Sequence, residues 1–259
     1  GRIDYTAAER SYPQGAIGDA DAAGIDLIES LSVGLGGGAD TIDTGAGDDL
    51  LIGGRFGDTI RARGGDNIVL GDSGRMVAGT AVFQAFSGPG GQPILIGRIE
   101  TIEPVGGGSD TVATLGGADI IFGGTGGDTI HAGAGVDLVF GEVTRSGGTN
   151  RVTTYANETA PWFEGYTYTA RFAGEADAGA ADLIYGEAGG DYLLGQQGAD
   201  VIFGAGGDDD LYGGHNVPGG HDAGDVLDGG RGNDVIVGDN GSIERTGGAV
   251  GPRFRALEG

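Results

Sequence analysis

Gly123–His131 reads GGTGGDTIH, and the position of its single aspartate sets the register for the whole chain. Asp128 lies nine residues after Asp119 and nine before Asp137, and Asp110 carries the series backwards. The same spacing joins Asp40, Asp49 and Asp58, with Asp66 one residue early. It returns through Asp182, Asp191, Asp200 and Asp209, and again from Asp225 to Asp234. A fixed short period in a glycine-rich chain marks a repeat architecture, in which each unit buries its apolar residues only by stacking on its neighbours.

The residue two places after each aspartate tests the register. In order these are Ile42, Leu51, Ile60, Ile68, Val112, Ile121, Ile130, Val139, Ile184, Leu193, Ile202, Leu211, Leu227 and Ile236, and all fourteen are aliphatic. Disordered low-complexity sequence lacks such recurring apolar anchors. Each aspartate is therefore read as the junction between a glycine-rich turn and a short strand whose middle residue points inward.

The unit G-G-x-G-x-D-x-U-x resembles the calcium-binding nonapeptide of the RTX (repeats-in-toxin) family of secreted bacterial proteases, lipases, toxins and adhesins. The resemblance covers about half of the chain, in three separated blocks. It implies an all-β fold, a right-handed parallel β-roll (β-solenoid) of calcium-binding nonapeptide repeats interrupted by β-hairpin-like inserts. It also implies that two nonapeptides make one coil. Asp40 and Asp58 then share one edge, Asp49 and Asp66 the other, with multiple Ca2+ ions held between neighbouring turns. The expected metal ligands are the fourteen aspartates above together with Asp72 and Asp239, which close blocks in the matching sequences Gly71-Asp72-Ser73-Gly74 and Gly238-Asp239-Asn240-Gly241. Gly141-Glu142 is a weaker version of the same ending.

The residue types suit that chemistry. Calcium takes six to eight hard oxygens and accepts backbone carbonyls beside carboxylates. Glycine lets a tight turn aim successive carbonyls inward. One aliphatic layer per strand is a thin core, so metal binding is expected to supply much of the folding free energy. Sites of extracellular type have dissociation constants on the order of 10⁻⁴–10⁻³ M, so at cytosolic calcium they stay empty and the chain unfolded. The family resemblance adds type I export, which that unfolded state suits.

Composition narrows the function classes. The 259 residues contain 61 glycines, 38 acidic residues and 14 basic ones, all arginine, for a formal net charge of −24. Such a body repels itself unless cations join it. Nucleic acid is excluded as a partner by sign. There is no cysteine to form disulfides or thiolate sites. No apolar run approaches a membrane span, and Gly1–Arg10 does not resemble a cleaved secretory signal.

The domain reading is a partial insert over 1–34, a first repeat block over 35–74 and a hairpin insert over 75–104. A second block follows over 105–142, then an aromatic-rich insert over 143–176. A third block spans 177–241, with a short loop at 213–220, and a truncated insert runs over 242–259. Ile28 and Ile99 begin similar longer segments, so the chain is expected to be a window on a longer array. One side of the first two blocks carries Thr41, Thr59, Thr111 and Thr129. The other carries Leu50, Asn67, Ile120 and Leu138, with Ile52, Val69, Phe122 and Phe140 two places on. In the third block both sides carry large residues, including Tyr185, Phe203, Leu194 and Tyr212. Bare apolar surface is unfavourable, so the inserts or another molecule are expected to cover the second side.

Other signals point to bland readings. Gly71–Gly74 resembles a serine-protease nucleophile sequence, but Asn240 fills the equivalent place, and a turn or calcium ligand is the better reading. His215 and His221 with Asp222 could hold a transition metal, but a solvated loop is favoured. Neither H-E-x-x-H nor G-x-S-x-G occurs, so no enzyme is expected in this segment. Tyr155, Trp162, Phe163, Tyr166, Tyr168 and Phe172 are expected to pack a hairpin, with a protein or glycan partner as the sharper alternative. The expected function is a calcium-dependent structural segment of a large secreted or cell-surface bacterial protein, serving as spacer, adhesin stalk or matrix component. The alternatives are a C-terminal secretion and folding module of an extracellular enzyme, or a self-assembling surface-layer or filament subunit.

Overall fold

The computed structural model describes residues 2–4, 27–31, 36–78, 86–87, 93–94, 96–102, 106–142, 149–154, 166–171, 179–216 and 222–243. No helix occurs among them. Two seven-stranded parallel ladders run side by side, alternating along the chain. The first is built from Thr41–Asp43, Thr59–Ala62, Thr111–Thr114, Thr129–His131, Leu183–Ala188, Val201–Gly206 and Val226–Asp228. The second takes the intervening strands Leu50–Ile52, Ile68–Leu70, Ile120–Gly124, Leu138–Glu142, Tyr192–Leu194, Asp210–Tyr212 and Val235–Val237. The chain is a β-roll, as the RTX resemblance implies.

The ladders pass through the inserts without a break. Ile60 pairs with Val112 across the first insert, Ile130 with Ile184 across the second, and Ile202 with Leu227 across the short loop. The three sequence blocks form one stack. Its interior is the expected single aliphatic layer from each ladder, including Ile60, Val112, Ile130 and Ile184 facing Ile121, Val139, Leu193 and Leu211, all fully buried.

One repeat departs from the expected register. Ile120 pairs with Ile68 and Ile121 with Val69, so Asn67, not Asp66, stands in line with Asp119. Val69 enters the inner layer, while Ile68 and Leu70 face outward, the reverse of the sequence expectation. The physical reason is period 2: a shift of one residue turns every side chain of a strand to the opposite face. Ile-Val-Leu offers an apolar residue to either side, so the apolar pattern alone does not reveal the slip.

The outer face of the second ladder is covered by the protein itself. Strands Gly74–Ala78 and Ile96–Thr101 form an antiparallel pair, as do Thr149–Thr154 and Tyr166–Arg171. These hairpins join each other through Ile96–Thr101 and Thr149–Thr154. With Leu27–Glu29 and Arg2–Asp4 they make one six-stranded sheet. Met76 and Ile99, fully buried, pack with Ile120, Phe122, Leu138, Phe140, Tyr192 and Tyr212 in a second core. Phe122 and Phe140 stack with centroids 4.9 Å apart. Within this sheet Arg75 lies opposite Glu100 and hydrogen-bonds its buried carboxylate. The outer face of the first ladder is more open and carries a half-buried stack of His131, Tyr185 and Phe203, with successive centroids 4.6 and 5.2 Å apart. Of the aromatic-insert residues, Tyr155, Trp162, Phe163 and Phe172 lie outside the described residues, and the pairing of Tyr166–Arg171 is described through its backbone.

Candidate metal centre

Parallel pairing brings the aspartates at the turn–strand junctions into two columns. On one edge each backbone N–H donates to the Oδ1 of the aspartate one coil on: Asp40 to Asp58 at 2.7 Å, Asp58 to Asp110 at 2.6 Å, Asp110 to Asp128 at 2.8 Å. The series continues from Asp128 to Asp182, Asp182 to Asp200 and Asp200 to Asp225. The other edge runs Asp49, Asn67, Asp119, Asp137, Asp191, Asp209 and Asp234 in the same manner. Thirteen of the fourteen sequence-predicted repeat aspartates thus lie in the columns. Asp66 lies one residue ahead, where its Oδ1 accepts the Ala118 N–H at 2.7 Å.

Every column aspartate except Asp40 and Asp49, which begin the columns, accepts in this way through Oδ1. The Oδ2 atoms of Asp58, Asp110, Asp128, Asp182 and Asp200, and of Asp119, Asp191 and Asp209, are buried without a hydrogen-bond partner. A buried polar atom without a partner costs about 1–3 kcal/mol and calls for an explanation. Here the same feature recurs coil after coil.

On the edge of Asp58 the glycines that open the turns show what surrounds these oxygens. A Cβ on Gly53 would lie 2.4 Å from Asp58 Oδ2 and 2.3 Å from the carbonyl of Gly71 in the next coil. On Gly123 it would lie 2.5 Å from Asp128 Oδ2 and 2.6 Å from Gly141 O, and on Gly195 2.2 Å from Asp200 Oδ2 and 2.7 Å from Gly213 O. Carboxylate and carbonyl oxygens from successive turns therefore converge where only glycine leaves room. Hard oxygens of this mixture suit calcium, which takes carboxylates and carbonyls together. Among the described residues no three histidine, cysteine or acidic side chains converge as a metal-holding group. Such an ion would rest on one or two carboxylates and on backbone carbonyls, which accounts for the glycine.

Electrostatics agree with a site suited to a cation. Burial pushes the Asp110 and Asp191 carboxyls up to about 8, Asp200 to about 7, and Asp119 and Asp209 to about 6, against the pull of their hydrogen bonds. Burial also raises Asp128 and Asp182, and repulsion adds to each shift, from Asp110 on Asp128 and from Asp128 and Asp200 on Asp182. Desolvation and like charge both disfavour the ionised form, and a bound cation reverses both.

Two further acids line the first edge at the insert points. Asp72, raised by burial to about 6, accepts hydrogen bonds from Thr125 N–H and hydroxyl at 2.6 and 2.9 Å and from the Gly108 N–H. Glu142, raised by burial to about 8, accepts from Gly126 and from Ala180 N–H. Each ties the strand that leaves for an insert to the segment that returns. Glu142 was not among the sequence-predicted ligands, although its place at a block end beside Asp72 and Asp239 marked it. Asp239 is exposed in the last coil. His215 is buried, its ring pKa lowered to about 4 by burial, and its backbone N–H donates to Asn240 Oδ1 at 2.7 Å. His221 lies outside the described residues. Ser73 is buried, and its carbonyl accepts the Ile102 N–H at 3.0 Å, a turn role.

A family model for the RTX calcium-binding nonapeptide repeat matches residues 35–60, 45–75, 105–142, 179–214 and 219–242, together more than half of the chain. No curated protein matches it.

Proposed function

The chain belongs to the RTX family of calcium-binding nonapeptide repeats, and from that premise we propose that it is a calcium-rigidified structural segment of a large secreted or cell-surface bacterial protein. Spacer, adhesin stalk or matrix component is the role it fits. The observation that carries this reading is the repeated buried, unpartnered Oδ2 of the column aspartates, set on the edge of Asp58 against a glycine carbonyl of the next coil. Calcium is what such oxygens accept, and extracellular calcium is where sites of this kind fill. The matched repeats supply calcium binding and no catalytic group, so a non-enzymatic role is proposed. Within the described residues no helix is long and apolar enough to cross a membrane.

The test is a calcium titration followed by circular dichroism and small-angle scattering. β-Structure and an elongated shape appear together near millimolar calcium and vanish with chelator. A chain that stays folded and equally stiff in chelator sinks the proposal.

Self-association is a second reading, favoured by one observation. The last strands of the ladders leave Val226 58% and Ile236 45% exposed. Parallel ladders have unlike ends, so copies would join head to tail rather than face to face. Sedimentation at rising concentration in calcium, with Val226→Lys as comparison, decides it.

A further inference from the structure

The two edges of the roll share one backbone but differ in lining. On the edge of Asp58 the turn-opening residues are Gly53, Gly71, Gly123, Gly141, Gly195 and Gly213, each set against a carboxylate Oδ2 and the glycine carbonyl of the next coil. On the opposite edge the same place is held by Thr44, Ala62, Thr114 and Ala132 in the first two blocks. Glycine returns there only in the third block, with Gly186, Gly204 and Gly229 beside Asp191, Asp209 and Asp234 Oδ2. Side chains thus occupy four turns of this edge where the first edge keeps oxygens facing one another. The Thr114 hydroxyl itself donates to the Ala132 carbonyl of the next coil.

Asn67 sharpens the contrast. It is fully buried in the column between Asp49 and Asp119. Its Nδ2, a donor that no aspartate has, gives one hydrogen bond to Gly65 O at 2.8 Å and one to Asp119 Oδ1 at 2.9 Å. A turn carbonyl and a column carboxylate are joined here by a neutral amide. Asp66 does not restore the charge to the column, because its carboxylate is turned to the Ala118 N–H.

Resting on the calcium reading above, we propose that calcium loads the two edges unequally. The edge of Asp58 carries an unbroken column of ions through all three blocks. The opposite edge has no ion at the Asn67 coil, where the amide makes the bond between turns instead, and has full sites only from Asp191 onward. Calcium affinity follows the charge and number of oxygen ligands, and this coil offers one carboxylate fewer and two amide protons.

The experiment counts ions on the full chain by equilibrium dialysis against calcium and locates them in crystals grown in calcium by anomalous scattering. The expected map shows a continuous row beside Asp58, Asp110, Asp128, Asp182 and Asp200 and a gap at Asn67. Asn67→Asp is expected to add at least one bound ion, and Asp128→Asn to remove at least one. Ions of equal occupancy on both edges, including the Asn67 coil, overturn the inference while leaving calcium binding intact. An unchanged count in a folded Asn67→Asp chain does the same. If that variant does not fold, the map of the unaltered protein still decides. No uptake on either edge overturns the functional reading as well.

Discussion

The backbone N–H of Asp128 donates to Oδ1 of Asp182 at 2.7 Å, although 54 residues separate them. Within the blocks the same bond links residues eighteen apart, as from Asp110 to Asp128. The second insert therefore leaves and rejoins the roll without disturbing one column bond. Repeat stacks depend on nearest-neighbour interfaces, so an insert is tolerated wherever both neighbours can still meet. Asp72 and Glu142 sit at the two long insert points and bind both sides of the splice.

Glycine at the turn opening is expected to be required for packing rather than for backbone freedom. Gly195→Ala places a methyl against Asp200 Oδ2 and Gly213 O, and should cost about 1–3 kcal/mol and raise the calcium midpoint. Gly38→Ala is the control, because no atom lies within 4 Å of its Cβ position. Calcium titrations monitored by circular dichroism compare the two. Equal midpoints would refute the cradle.

Acid is expected to rescue the calcium-free fold. The carboxyls of Asp110, Asp119, Asp191, Asp200 and Asp209 lie at about 6 to 8 when folded and near 4 when unfolded. The folded chain then holds more protons between these values, so its metal-free stability is fullest below pH 4 and is lost as pH rises toward 8. Circular dichroism in chelator should show more β-structure at pH 4 than at pH 8. The opposite trend counts against raised carboxyls.

Proton release follows from the same groups. Calcium needs the ionised carboxylates, so its apparent affinity should fall as pH drops from 8 to 6, with protons released on binding. Calorimetry in buffers of different ionisation enthalpy measures the release. A heat independent of buffer at pH 6.5 would contradict it.

The covering sheet is expected to be needed for solubility. Met76→Ala removes a fully buried side chain that packs with Ile120, Phe122 and Phe140, at about 2–5 kcal/mol. Met76→Asp should detach the sheet and bare the face of the second ladder. Dye binding to exposed apolar surface and loss of monomer in gel filtration are the readouts.

Much of the site was legible in the sequence, for one reason. A nonapeptide unit fixes the local geometry of its own turn and strand, and with the two-repeat coil that the RTX resemblance implies, thirteen repeat aspartates could be placed in two columns. The covering of Phe122 and Phe140 followed from their outward position and their size. The slip at Asn67 was hidden, because Ile68, Val69 and Leu70 fit either face. Glu142 was passed over because its acidic partners come from other coils.

The period of nine and the RTX resemblance it carries, read without any coordinates, pointed to the parallel roll, the placing of carboxylates at its edges and the need for cations, because the motif behind each of these lies in residues close in the chain. The joining of three blocks into one stack, the single sheet built from separate inserts and the unlike linings of the two edges were decided only in three dimensions. They depend on which coil meets which, and contacts between residues 52 or 54 positions apart leave no trace in a local repeat.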